Sequence, residues 1–194
     1  MSGCLSQGEH GVITQYVCPD RTIVDNPDDC PKQEEPQYAK PIDVKPVDVL
    51  QIPQYEDLDC SKPENQNITY VKVSVRMESN EEAVNPMYRW YPSLNEGRIN
   101  WIGDSIYNEG CTKIFVPDVV VYSYIIKGNK VLFYNGGIEI LGGTGYAYPR
   151  DFMAYGTGYP NLVVNERGTY KAVVIVRDGK TGEIIGGNEA EFEM

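Results

Sequence analysis

From Cys60 to its end the chain repeats one pattern: short runs in which apolar and polar residues alternate, separated by turn residues. In ITYVKVSVRM, Val71, Val73, Val75 and Met77 fall on one face, and Lys72, Ser74 and Arg76 on the other. Successive side chains of extended backbone point to opposite sides, so this is the period of a strand with one buried face. EIIGGNEAEFEM repeats it, with Ala190, Phe192 and Met194 facing in and Glu189, Glu191 and Glu193 facing out. VVVYSYIIK and KVLFY flank Gly128-Asn129, a two-residue hairpin signal, and TYKAVVIVRD turns through DGKTG into the last run. No helical period of useful length competes with these runs. About seven or eight short antiparallel strands, each wet on one face, bury the other by stacking two sheets, so residues 57–194 are expected to form a β-sandwich.

A chain of 194 residues has room for one such domain and a smaller appendage. Its 41% hydrophobic and 23% charged residues lie in the globular range, which argues against a disordered chain. A net charge of −11 argues against nucleic acid as a partner, because binding that polyanion depends on a basic footprint. No run approaches the ~20 apolar residues of a membrane-spanning helix. Fifteen tyrosines against four phenylalanines suit half-buried strands and wet binding surfaces, where the ring packs and the hydroxyl keeps a polar partner.

The five cysteines are Cys4, Cys18, Cys30, Cys60 and Cys111, and the one histidine is His10. None of the cysteines is spaced as a zinc site. Cys18 and Cys30 bracket PDRTIVDNPDD, whose Asn-Pro and Pro-Asp steps favour a tight hairpin, so residues 12–31 read as a disulfide-stapled knuckle. Cys60 and Cys111 are then the natural second pair. Paired cysteines imply an oxidising compartment; the alternative is five free thiols in a cytosolic protein. Asp25, Asp28 and Asp29 in the knuckle suit turn formation, with calcium ligation as the rarer use of such a cluster. Between the knuckle and the sandwich, prolines 31, 36, 41 and 46 recur every five residues, which disfavours helix and makes 32–56 an extended tether. Its end, VDVLQI, could dock as an edge strand on the sandwich.

Three local resemblances add to this. Ser2-Gly3-Cys4 resembles the end of a lipobox, in which a small residue and Gly precede the cysteine that becomes the lipidated first residue of a secreted lipoprotein. The resemblance implies a signal peptide upstream, a 1–11 tail carrying a lipid on Cys4, and attachment to the outer face of the cell membrane; the alternative is a stray N-terminal cysteine. The Tyr, Cys-Pro-Asp, short strand and Cys-Pro order of the knuckle resembles small knuckles near the N-terminus of archaeal surface proteins. Glu166-Arg167-Gly168-Thr169-Tyr170-Lys171-Ala172 resembles the start of the penultimate strand of immunoglobulin-like and fibronectin type III-like sandwiches. It implies a tyrosine corner at Tyr170. Ala172 takes the place of the inward cysteine of antibody domains, so the core disulfide of those domains is not expected.

Little in the sequence points to catalysis. One histidine, in the tail, removes most acid-base and nucleophilic triads, and the paired cysteines leave no thiol nucleophile. Among the carboxylates, Glu109, Asp104 and Asp151 are nearest to loop positions, but no motif singles one out. No cofactor is implied. The most distinctive stretch is GGTGYAYPRDFMAYGTGYP, where GTGY occurs twice and Tyr146, Tyr148, Phe152, Tyr155 and Tyr159 crowd five rings into fourteen positions. It reads as a long loop that either tucks its rings over one end of the sandwich or offers them to a sugar or a protein. WYPSLNEGRINW, with Trp90, Tyr91 and Trp101, presents the same choice, one tryptophan being expected in the core. Asn67-Ile68-Thr69 is an N-glycosylation sequon at the edge of an expected strand.

Taken together these features describe a non-catalytic, lipid-anchored envelope protein whose immunoglobulin-like sandwich is displayed on a tether and binds a protein or carbohydrate. The alternatives are a secreted protease inhibitor that uses the Gly/Tyr loop, a hydrolase that uses loop carboxylates, and the subunit of a surface assembly.

Overall fold

The computed structural model describes residues 16–18, 22–31, 37–44, 58–143 and 145–194. They belong to two compact units, 1–37 and 38–194. Cys4 lies outside the described residues.

In the first unit, β1 (Tyr16–Val17) and β2 (Ile23–Val24) pair antiparallel. A 3-10 turn at Pro27–Asp29 follows, begun by Asn26, whose side-chain oxygen accepts the Asp28 N–H at 3.1 Å. The Cys18–Cys30 bridge closes the unit, with the Cα atoms 5.5 Å apart. Strands of two residues bury almost nothing, and Tyr16 and Ile23 stay exposed while Cys18 is buried. The cross-link therefore supplies what a core cannot, ~3 kcal/mol for a loop of this length in the chain-entropy account.

The second unit is an antiparallel β-sandwich. Its strands are β3 (Val71–Arg76), β4 (Tyr88–Tyr91), β5 (Glu96–Ile99), β6 (Ile102–Asn108), β7 (Ile114–Phe115), β8 (Val119–Lys127), β9 (Lys130–Ile140), β10 (Tyr146–Ala147), β11 (Asp151–Gly158), β12 (Leu162–Val164), β13 (Thr169–Asp178) and β14 (Ile184–Glu193). One sheet has the order β11-β6-β3 and the other β14-β13-β8-β9; β4, β5 and β12 form a smaller sheet, and β7 and β10 a ribbon. The chain changes sheet between β6 and β8, returns between β9 and β11, and changes again before β13. Between the two sheets lies one apolar cluster: Val71 and Val73 of β3, Ile102 and Ile106 of β6, Val121 and Ile125 of β8, Ala172, Val174 and Val176 of β13, and Phe192 of β14. These are the inward positions of the alternating runs, so the pattern that makes each strand also fixes which face it buries.

Turn chemistry accounts for the hairpins. Gly128 takes a left-handed φ of 57° between β8 and β9, where a Cβ would be strained. At the β13–β14 turn the Asp178 carboxylate accepts the N–H groups of Lys180 and Thr181, both at 2.8 Å. Tyr170 is buried, and its hydroxyl donates to the Glu166 carbonyl at 2.5 Å, which ties β13 to the turn before it. A second bridge, Cys60–Cys111, joins the approach to β3 with the loop after β6. Asn108 is fully buried beside it: its Nδ2 donates to the carbonyls of Thr112 and Ala147, and its Oδ1 accepts the Gly110 N–H.

Three features differ from the sequence reading. The Gly/Tyr stretch is not one long loop, because it contains β10 and β11. The sequon does not run into a strand: Asn67 sits in an exposed turn before β3 begins at Val71. Within the proline-rich stretch, Ala39 donates to the Val163 carbonyl at 2.7 Å and Ile42 bridges Val131. Val44 packs on a second apolar cluster, formed by Tyr124, Ile126, Val131, Val173 and Ile175 on the outer face of the four-stranded sheet. Contact with a sheet thus occurs upstream of VDVLQI, which lies outside the described residues.

Candidate functional site

The outer face of the β11-β6-β3 sheet is built from the polar halves of its alternating strands. Register sets three rows across it: Lys72, Tyr107 and Phe152; Ser74, Ser105 and Tyr155; Arg76, Gly103 and Thr157. Phe152 and Tyr155 are three residues apart, so a regular strand would point them to opposite faces. A β-bulge between Phe152 and Ala154 absorbs one residue, sends Met153 and Ala154 toward the core, and brings both rings to the outer face.

Trp101 precedes β6 and lies over Gly103. A Cβ at Gly103 would stand 3.2 Å from the indole Cζ3 and 2.9 Å from Met87 Cε, so glycine is what lets the indole lie down on the sheet. The result is an open groove of about 350 Å³ whose wall residues include Trp101, Tyr107 and Tyr155. Its rings support one another: Tyr107 meets Phe152 edge-on at 5.7 Å, and Phe152 lies 6.3 Å from Tyr155. Tyr155 is 70% exposed and Phe152 47%, so these rings contribute little to the core.

The charge of the face runs against that of the protein. Its three rows carry two cations, Lys72 and Arg76, and no carboxyl group, while the whole chain carries −11. Arg76 touches Glu78 at 3.6 Å with both side chains more than 60% exposed, a pair of the kind that solvent screens to little value.

One carboxyl lies directly behind the floor. Asp104, expected near a loop, sits within β6 between Gly103 and Ser105 and points inward, 6% exposed. Its Oδ2 accepts the Gly156 N–H at 3.1 Å, and its Oδ1 is buried without a partner. A Cβ on Gly156 would come within 2.9 Å of that Oδ2, so glycine opposite makes room for the carboxyl. Burial pushes the Asp104 pKa up to about 7, against the smaller pull of the Gly156 N–H.

The other expected site residues are scattered. Glu109 pairs with Arg150 at 3.4 Å, and Asp151 caps its own neighbour, accepting the Phe152 N–H. Tyr146 belongs to the β7–β10 ribbon, where it meets Phe115 edge-on and lies under the Lys113 ammonium. Tyr148 and Tyr159 are exposed on either side of β11. None of the five rings is tucked away, and only Phe152 and Tyr155 share the groove face. Trp90 packs against the core beneath the Arg167 guanidinium, so the two tryptophans divide between core and groove. Among the described residues no group of three or more His, Cys, Asp or Glu gathers to hold a metal ion, Asp25, Asp28 and Asp29 included. No helix among them is long and apolar enough to cross a membrane.

Lys72, Ser74 and Arg76 were legible in the sequence as a wet strand face, and Trp101 as one ring of an aromatic stretch. Tyr107, Ser105 and Thr157 carry no signal of their own; pairing places them. The chain matches no family model and no curated protein.

Proposed function

We propose that this chain is a non-catalytic binding module of the cell envelope, anchored through a lipid on Cys4 and engaging its partner with the outer face of the β11-β6-β3 sheet. The observation that carries the binding reading is the groove itself. A bulge holds the rings of Phe152 and Tyr155 in the open on one face, where burial in the core cannot explain them, and Gly103 lets the half-buried Trp101 lie beside them. The two disulfides favour an oxidising compartment, and the Tyr170 corner together with the sheet orders favours an immunoglobulin-like module. Such a scaffold presents a face and leaves the chemistry to its partner.

Binding to washed cell-envelope fragments from the native organism tests the reading, with the Trp101→Ala/Tyr155→Ala variant beside the wild type. Retention of the wild type and loss with the variant, the circular dichroism of the sheets being unchanged at the assay temperature, is the expected outcome. Equal retention of the two proteins removes this face as the binding site. Mass spectrometry of protein extracted from native membranes tests the anchor separately; an unmodified Cys4 removes it.

A further inference from the structure

The face described above carries a more specific assignment, which rests on reading it as a binding face. We propose that its ligand is an acidic polysaccharide, a chain of sugar rings bearing carboxylates. The rings and the charges of the face lie along different strands, and this separation is what the ligand must match. Phe152 and Tyr155 line β11 and Trp101 closes one end, while Lys72 and Arg76 stand on β3 at the far side of β6. With strands ~4.8 Å apart and ~3.4 Å of rise per residue, the cations are ~14 Å apart along β3 and ~10 Å across from the β11 rings. That is room for a short run of sugar rings rather than one.

Each part of a uronate chain then has its counterpart. The apolar faces of the sugars lie on the flat rings of Trp101 and Tyr155, whose amphipathic character suits a half-wet surface. The hydroxyls of Thr157 on the ring strand, Ser105 on β6 between rings and cations, and Ser74 on the cation strand cross the groove and can exchange hydrogen bonds with sugar hydroxyls. Arg76 presents a planar fork that a carboxylate fits with two bonds, and Lys72 adds a point charge. No carboxyl stands in the three rows: Asp104, behind the floor, faces the core, and Glu78, beside Arg76 at the edge, is held only by an exposed pair that an acidic ligand can displace. In a chain of net charge −11, a face with cations and no acid is complementary to an anion. Single-stranded nucleic acid also offers rings and charges, but it carries a phosphate at every nucleotide, and two cations on an acidic protein neutralise few of them.

Titration calorimetry on the whole chain at low salt tests this with three probes: polygalacturonate, the same polymer fully methyl-esterified, and oligo-thymidylate. The expected result is binding of polygalacturonate, weakened about threefold to tenfold by each of Arg76→Gln and Lys72→Gln and further by added salt. Trp101→Ala should abolish it, and Tyr155→Ala, at a largely exposed ring, should weaken it without touching the fold. Equal affinity for the methyl ester, still lost with Trp101→Ala, overturns the acidic class and leaves the binding face standing. Tighter binding of oligo-thymidylate overturns it in favour of nucleic acid. No binding of any probe, while envelope fragments still retain the wild type and not the Trp101→Ala/Tyr155→Ala variant, overturns the polysaccharide alone. Failure of both experiments removes the binding face with it.

Discussion

Asp104 should make this sandwich less stable as the pH rises toward neutrality. Its carboxyl is buried in β6, with one oxygen held by the Gly156 N–H and the other unpartnered. In the unfolded chain the group releases its proton near 3.8; in the folded chain burial keeps the proton on up to about 7. Between those values the folded state holds a proton that the unfolded state has lost, so raising the pH favours unfolding throughout the window. Above about pH 7 both states are ionised and this contribution is flat, its stabilising form being present in full only below 3.8. At about 1.4 kcal/mol per pH unit, the window corresponds to ~4 kcal/mol, an upper value for one group. Asp104→Asn keeps the shape and an acceptor for Gly156 but has no charge to form. Urea unfolding followed by fluorescence, with both disulfides intact, gives the stability of each protein from about pH 4 to about pH 8. Every other carboxylate is common to the two proteins and cancels in their difference. That difference should move by ~4 kcal/mol in favour of the variant as pH rises, most of it below neutrality. Parallel curves for the two proteins would refute the argument, since they would mean that Asp104 ionises in the folded state as easily as in water.

Other substitutions test the frame around it. Replacing both Cys60 and Cys111 with Ser opens a loop of 51 residues and should cost ~4 kcal/mol, read as a fall in melting temperature under oxidising conditions that leave Cys18–Cys30 intact. Asn108→Ala takes the side-chain donor from the Thr112 and Ala147 carbonyls inside the fold and leaves the Gly110 N–H only its bond to the Tyr70 carbonyl, and should cost about 3 kcal/mol by denaturant unfolding. Tyr170→Phe removes the bond to the Glu166 carbonyl but keeps the ring, so a loss of ~1 kcal/mol is expected, with the circular dichroism of the sheet unchanged.

The sequence by itself determined the class of fold. Alternation in ITYVKVSVRM and NEAEFEM is a local property of the backbone, so it names both the strand and its buried face before any partner strand is known. The Gly128-Asn129 and DGKTG turns are local in the same way, and the cysteine spacing narrowed the pairing to the two bridges that form. The groove is not local. Phe152 and Tyr155 share a face because a bulge shifts register against β6, and the register of β11 is set by what Met153, Ala154 and Gly156 meet in the core. Trp101 joins them because Gly103 leaves space beneath it, and Asp104 is hidden by packing that places a glycine opposite. Lys72 and Arg76 stand some eighty residues upstream of Tyr155, and only the shared neighbour β6 brings them to the same surface. Such placements depend on which strands pair and where they slip, energies spread over contacts between distant segments, and so only the tertiary structure decided them.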